Sequence, residues 1–156
     1  MAFESIQPGE LVSENTLVVD NSVMMRWLFD DGSSADRRYA AKTLDYIKEN
    51  NPQVIVPYIW VYESSFVVNY YVGQDDLDGT EAIRHLDSLF DLCTVTTDRQ
   101  TPATLFQFSH AHGISTYDAA YLMLAGSQTS PLATLDRKMR RVARKIKVEL
   151  LQEKSK

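Results

Sequence analysis

A chain of 156 residues suffices for one domain that buries roughly two-thirds of its unfolded surface, and 44% apolar residues can build its core without a structural metal. The single cysteine, Cys93, excludes a disulfide framework; no window approaches the roughly 18 apolar residues of a bilayer span, and the start lacks the basic and apolar stretches of a secretion signal, so a cytoplasmic protein is expected. The net charge of −5 hides an asymmetry: residues 1–136 hold 7 basic and 19 acidic side chains (−12), whereas 137–156 hold 9 basic and 2 acidic ones (+7).

Residues 1–15 are polar, carry no basic side chain and read as an N-terminal extension. Leu17-Val18-Val19 is a continuous apolar run, the mark of a strand buried on both faces, and it ends at Asp20. Asn21-Ser22 supply helix-start chemistry ahead of Val23, Met24, Trp27 and Leu28 at helical spacing. A turn over 30–34 leads into an amphipathic helix over 35–50, which Asn51-Pro52 stops. Val54-Ile55-Val56 is a second buried strand, closed by Pro57. The following helix, from about Ile59 to Val72, is heavy in aromatics (Trp60, Tyr62, Phe66, Tyr70, Tyr71) and reads as core or partner interface rather than a base-stacking platform.

An acidic loop (73–79) precedes a helix over 80–91, a third strand over 92–96 and a helix over 102–112 ending at Gly113 in the manner of a glycine cap. Ser115-Thr116-Tyr117-Asp118 resembles a capping box before the apolar helix 118–126. Leu132 to Leu135 is a fourth strand ending at Asp136, followed by a basic helix over 137–145 and a last short strand over 148–151. Strands alternating with helices predict a three-layer α/β/α sandwich around a mostly parallel sheet.

Four acids stand where an acid is costly. Asp20 and Asp136 end apolar strands, Glu63 interrupts the apolar stretch IWVYESSFVV, and Asp118 opens YDAAYLMLA, where no other charge occurs. Each alone has a plainer reading: Asp20 and Asp136 as helix caps, Asp118 as part of its capping box, Glu63 as a solvated outward residue. Together they suggest carboxylates converging on the carboxyl rim of the sheet, where ligands of open α/β sheets bind. Acids so placed repel one another unless a divalent cation lies between them, and oxygen-only ligands favour Mg²⁺ or Mn²⁺ over Zn²⁺. Such a site suits phosphodiester hydrolysis. His85, His110 and His112 show no zinc spacing, Asp75, Asp76 and Asp78 lack the pattern of a calcium loop, and Cys93 reads as a small core residue.

Four segments, VVDNSV (18–23), VPYIWVYES (56–64), GISTYDAAYLMLA (113–125) and ATLDRKMRRVA (133–143), together resemble the PIN-domain family, and within it the VapC-type toxin ribonucleases of type II toxin–antitoxin pairs. The resemblance implies a PIN-like, Rossmann-like nuclease domain over 16–152, with 153–156 as a tail. It places the family's acidic quartet on Asp20, Glu63, Asp118 and Asp136 as metal ligands and catalytic groups, using Mg²⁺ or Mn²⁺. Ser22 and Thr134 take the places of its hydroxyl residues that support the acids or touch phosphate. The resemblance further implies an RNA substrate cleaved by activated water, an antitoxin partner and a homodimer, with the aromatic helix as a surface for either protein. Arg137, Lys138, Arg140 and Arg141 are the expected contacts to the RNA backbone. A housekeeping RNA-processing nuclease, a catalytically silent PIN-like binding module and an unrelated phosphohydrolase are the alternatives.

Overall fold

The apolar runs pair into one parallel sheet: β1 (Thr16–Val19), β2 (Gln53–Val56), β3 (Cys93–Val95) and β4 (Leu132–Ala133), in the order β3-β2-β1-β4. The computed structural model describes residues 15–74, 76–97 and 100–152. Most of the expected extension, Asp75 of the acidic loop and the expected tail over 153–156 lie outside the described residues. Val18 pairs with Ile55 on one side and Leu132 on the other, which makes β1 a central strand. Leu17, Val18 and Val19 are all fully buried. That two-sided burial is why β1 reads as an unbroken apolar run rather than an alternation.

The helices are α1 (Asn21–Leu28), α2 (Ser34–Asn50), α3 (Ile59–Gly73), α4 (Gly79–Leu92), α5 (Pro102–His112), α6 (Thr116–Ser127) and α7 (Arg137–Lys145). Right-handed crossovers sort them into two layers. The steps β1 to β2 to β3 march one way across the sheet, which puts α1 to α4 on one face. The return from β3 to β4 reverses direction and puts α5 and α6 on the other. The packing agrees: α1 meets α2 and α3, α3 meets α4, and α6 meets α5, α7 and β1. The three-layer α/β/α architecture expected from the sequence is the one found.

Local chemistry sets the helix ends. Ser33 and Asp36 form a reciprocal capping box at the start of α2, and Asn51 closes it in the left-handed region at φ 46°. Asp78 caps α4 by accepting from Thr80 and Glu81, so the acidic loop contains a helix cap rather than solvated charge alone. α7 is helical because Met139, Val142 and Ala143, at i, i+3 and i+4, bury one stripe while its basic residues take the rest. No helix among the described residues is long and apolar enough to cross a membrane.

One expectation needs correction. The last strand, expected over 148–151, is reduced to a single parallel bridge, Leu132 to Leu150. Left-handed backbone at Lys147 and Gln152 (φ 63° and 64°) bends the chain on both sides and leaves no room for a longer ladder. The aromatic helix is only partly core: Trp60 is buried and Tyr71 stacks on Phe29, but Tyr62, Phe66 and Tyr70 are exposed.

Candidate functional site

Because all four strands are parallel, their carboxyl ends share one rim. From β1 the chain steps to β2 on one side, while β4 lies on the other, so the strand order reverses between β1 and β4. A crevice at such a reversal is where open α/β sheets bind ligands. Asp20 leaves β1 at this point, with its backbone N–H donating to the carbonyl of Ala133 at 2.9 Å.

Asp20 is 6% exposed. It occupies the N-cap position of α1, yet its side chain caps nothing. Its Oδ2 instead accepts from Ser22 Oγ at 2.7 Å and from Thr134 Oγ1 at 2.8 Å. Each hydroxyl then accepts in turn: Ser22 Oγ from the N–H of Leu135 (3.2 Å), and Thr134 Oγ1 from the N–H of Asp136 (3.1 Å). These bonds stitch the ends of β1 and β4 together around one carboxylate. Ser22 and Thr134 therefore both touch the first acid.

The other acids arrive from three helices. Asp136 caps α7, its Oδ1 accepting from the N–H of Met139 at 2.8 Å, so the plainer reading of this residue also holds. Asp118, half-buried in the first turn of α6, donates its N–H to Ser115 Oγ at 3.0 Å. Glu63, half-buried on α3, accepts from Tyr121 Oη at 2.8 Å. Tyr121 is fully buried on α6, and the reading of 118–126 as an apolar helix gives it no role. Its signal was the phenol itself: a buried Tyr hydroxyl needs a partner, and α6 offers none on its own core face.

The electrostatics follow from this crowding. Burial pushes the Asp20 carboxyl up to about 6 against the pull of its two hydroxyl partners, and Asp118 and Asp136 add repulsion. Burial likewise lifts Glu63 to about 7, opposed by the Tyr121 hydrogen bond and reinforced by Asp20 and Asp118. Asp118 is raised mainly by burial, with hydrogen bonding from Ser115 opposing; Asp136 raises it and Lys138 lowers it. Four acids thus share one electrostatic field. As all-oxygen donors they suit a hard divalent cation in kind. Among the described residues no three of them stand in a ready-made coordination shell.

The basic residues after Asp136 divide. Arg137, Lys138 and Arg141 are exposed on α7. Arg140 is held inward: its Nε donates to the carbonyl of Thr134 at 2.8 Å, and its guanidinium lies 4.7 Å from the centre of the Tyr39 ring. It braces the end of β4. The remaining candidates stay outside the site. His110 stacks on Phe106, His112 packs tilted against Phe108, and His85 faces Glu81 on α4. Cys93 is a half-buried free thiol whose ionisation burial pushes up to about 12.

Tyr121→Phe removes one hydroxyl and no carbon from the centre. The expected cost is about 1 kcal/mol of folding stability, the usual net value of one hydrogen bond. Urea denaturation measures it, and an unchanged midpoint would mean the Tyr121–Glu63 bond contributes nothing net.

Comparison with known proteins agrees with this geometry. Residues 17–145 match the PIN domain family, a span holding all four acids. The fold is similar to the crystal structure of PAE2754 from Pyrobaculum aerophilum, with TM-score 0.61 and 20% identity over 82% of this chain and 84% of that one. A domain of a functionally unknown protein from Methanocaldococcus jannaschii DSM 2661 also matches, at TM-score 0.49 and 18% identity over 91% and 94% of the two chains. No curated protein matches. With a match running from β1 to the end of α7, the chain belongs to the PIN-domain family, a fold that generally carries metal-dependent nucleases.

Proposed function

We propose that this chain is a Mg²⁺- or Mn²⁺-dependent endoribonuclease, and more specifically the toxin of a VapBC-type toxin–antitoxin pair acting in the cytoplasm. The observation that carries the reading is the meeting of Asp20, Glu63, Asp118 and Asp136 in one field at the β1/β4 reversal. Carboxylates raised by burial and mutual repulsion, as Asp20, Glu63 and Asp118 are, mark a functional site more often than a structural one. A divalent cation held by these four acids would acidify water and neutralise the charge gathering on a scissile phosphate.

The chain's own residues prepare that centre. Ser22 and Thr134 fix the orientation of Asp20, and Tyr121 fixes that of Glu63. Exposed Arg137, Lys138 and Arg141 offer the RNA backbone its cations, while Arg140 shapes the rim rather than meeting phosphate. Exposed Tyr58 and Tyr70 on and beside α3, with Ile83 and Phe90 on α4, supply apolar surface for a second copy of the chain or for an antitoxin. The nuclease unit is taken to span 16–152.

The test is cleavage of a mixed pool of structured RNA with Mg²⁺ or Mn²⁺, comparing wild type, Asp118→Asn and an EDTA control. Metal-dependent cutting that disappears in the variant is the expected result. Cutting that survives in Asp118→Asn would remove that residue from the centre. No cutting by folded, partner-free protein across varied RNAs would move the chain to the silent binding modules. Growth arrest on expression, relieved by a small protein encoded next to this gene, is the result expected for the toxin role.

A further inference from the structure

Beside the acids lies an open cavity of about 450 Å³ lined by Asn21, Ile59, Tyr62, Glu63, Phe66, Val67 and Tyr117. Its composition is unusual in three respects. Three of its walls are aromatic rings that stay largely in solvent: Tyr62 at 65%, Phe66 at 75% and Tyr117 at 57% exposure. Its floor joins the acidic centre directly, because Glu63 belongs to both and Asn21 follows Asp20 in the chain. Asn21 itself is 6% exposed, and its side-chain carbonyl Oδ1 is buried without a hydrogen-bond donor.

Those features describe an occupant that is flat, uncharged and capable of donating a hydrogen bond. Flatness follows from rings contributed by two different helices, α3 and the start of α6. Neutrality follows from the lining, which contains a carboxylate and no lysine or arginine; a phosphate there would be repelled. The donor follows from the unsatisfied amide, because a buried acceptor left unpaired favours any ligand that completes it. A nucleobase of single-stranded RNA meets all three conditions, since unstacked bases are bound by aromatic rings and by polar groups along their edges.

We propose that this cavity holds the base of a nucleotide next to the scissile phosphate. Tyr62, Phe66 and Tyr117 supply the stacking surface, and Asn21 supplies the edge contact that discriminates among bases. The inference rests on the nuclease reading for its substrate class. It divides the RNA between two surfaces: the base enters the aromatic side, the backbone follows exposed Lys138 and Arg141 of α7, and the acids lie between. Sequence preference then comes from α1, α3 and α6, and general affinity comes from α7.

Binding of short fluorescein-labelled homopolymers of A, C, G and U, followed by anisotropy in EDTA, tests the cavity without requiring cleavage. Tyr62→Ala and Tyr117→Ala, both at exposed positions, are expected to weaken binding roughly tenfold or more with an unchanged salt dependence, and Tyr62→Phe to restore it. Asn21→Ala is expected to flatten the differences among the four homopolymers. Wild type that binds none of them, or aromatic variants that bind like wild type, would overturn the proposal. So would variants that alter only self-association in sedimentation, because the ridge would then be a protein interface. The two readings fail separately. Cleavage with no effect of the aromatic variants defeats the cavity alone, and variant-sensitive binding without metal-dependent cleavage defeats the nuclease alone.

Discussion

Asp20→Asn is expected to lower RNA cleavage at least about a hundredfold while making the metal-free protein more stable near neutral pH. The two effects have one cause. The Asp20 carboxylate is buried, is opposed by Asp118 and Asp136, and is raised to about 6 in consequence. An asparagine keeps an oxygen to accept from Ser22 and Thr134 and drops the charge that burial penalises. The gain is of order 1–3 kcal/mol, given that one pKa unit corresponds to about 1.4 kcal/mol. A hard cation, however, loses an anionic ligand for which a neutral amide is a poor exchange. Urea denaturation in EDTA and initial cleavage rates with Mn²⁺ read the two signs. An inactive and destabilised variant would make the carboxylate a structural group, and an active one would take it out of the centre.

The second large effect is a dependence of stability on pH that metal reverses. Asp20 and Glu63 have folded-state values of about 6 and about 7, above the roughly 4 of an unfolded carboxyl. Between those limits the folded protein binds protons that the unfolded chain releases. The contribution of these two groups is therefore fully present below about pH 4 and is lost as pH rises through 6 to 7. Asp20 alone corresponds to about 3 kcal/mol across that window, and the more exposed Glu63 to less. A divalent cation binds the carboxylates and not the acids, so its stabilising effect must grow over the same range. Melting temperatures at about pH 5 and about pH 8, in EDTA and in Mn²⁺, give a direct check. The expected pattern is a small metal effect at the lower pH and a large one at the higher. A metal effect independent of pH would place the cation away from these acids.

How much of this could be read from the chain depends on the range of the interactions involved. Strands buried on both faces announce themselves as apolar runs, and Asp20 and Asp136 were visible because each breaks such a run at its end. The helix 102–112 was legible to the residue, because Thr101 caps its start and Gly113 adopts the left-handed φ of 65° that ends it. Local signals failed where distant contacts decide. Val148 to Leu151 has strand composition, but the left-handed turns at Lys147 and Gln152 cut it to one bridge. Tyr121 went unnoticed as a site residue because its partner, Glu63, lies 58 residues away. Nothing near Arg140 in sequence reveals that Tyr39 and the Thr134 carbonyl hold it. The helical period of α3 shows which residues share a face but not what the fold leaves uncovered, so the exposure of Tyr62 and Phe66 had no sequence signature.

The hydrogen bond between Thr134 and Asp20 spans 114 positions of the chain. On a ribosome, Asp20 is made 114 residues before the hydroxyl that orients it. The segment that orients it, and that brings Asp136 beside it, follows both Glu63 and Asp118 in the chain. A partial chain carries Asp20, Glu63 and even Asp118 without the strand that gathers them. The acidic centre is therefore complete only once β4 and the start of α7 have been made.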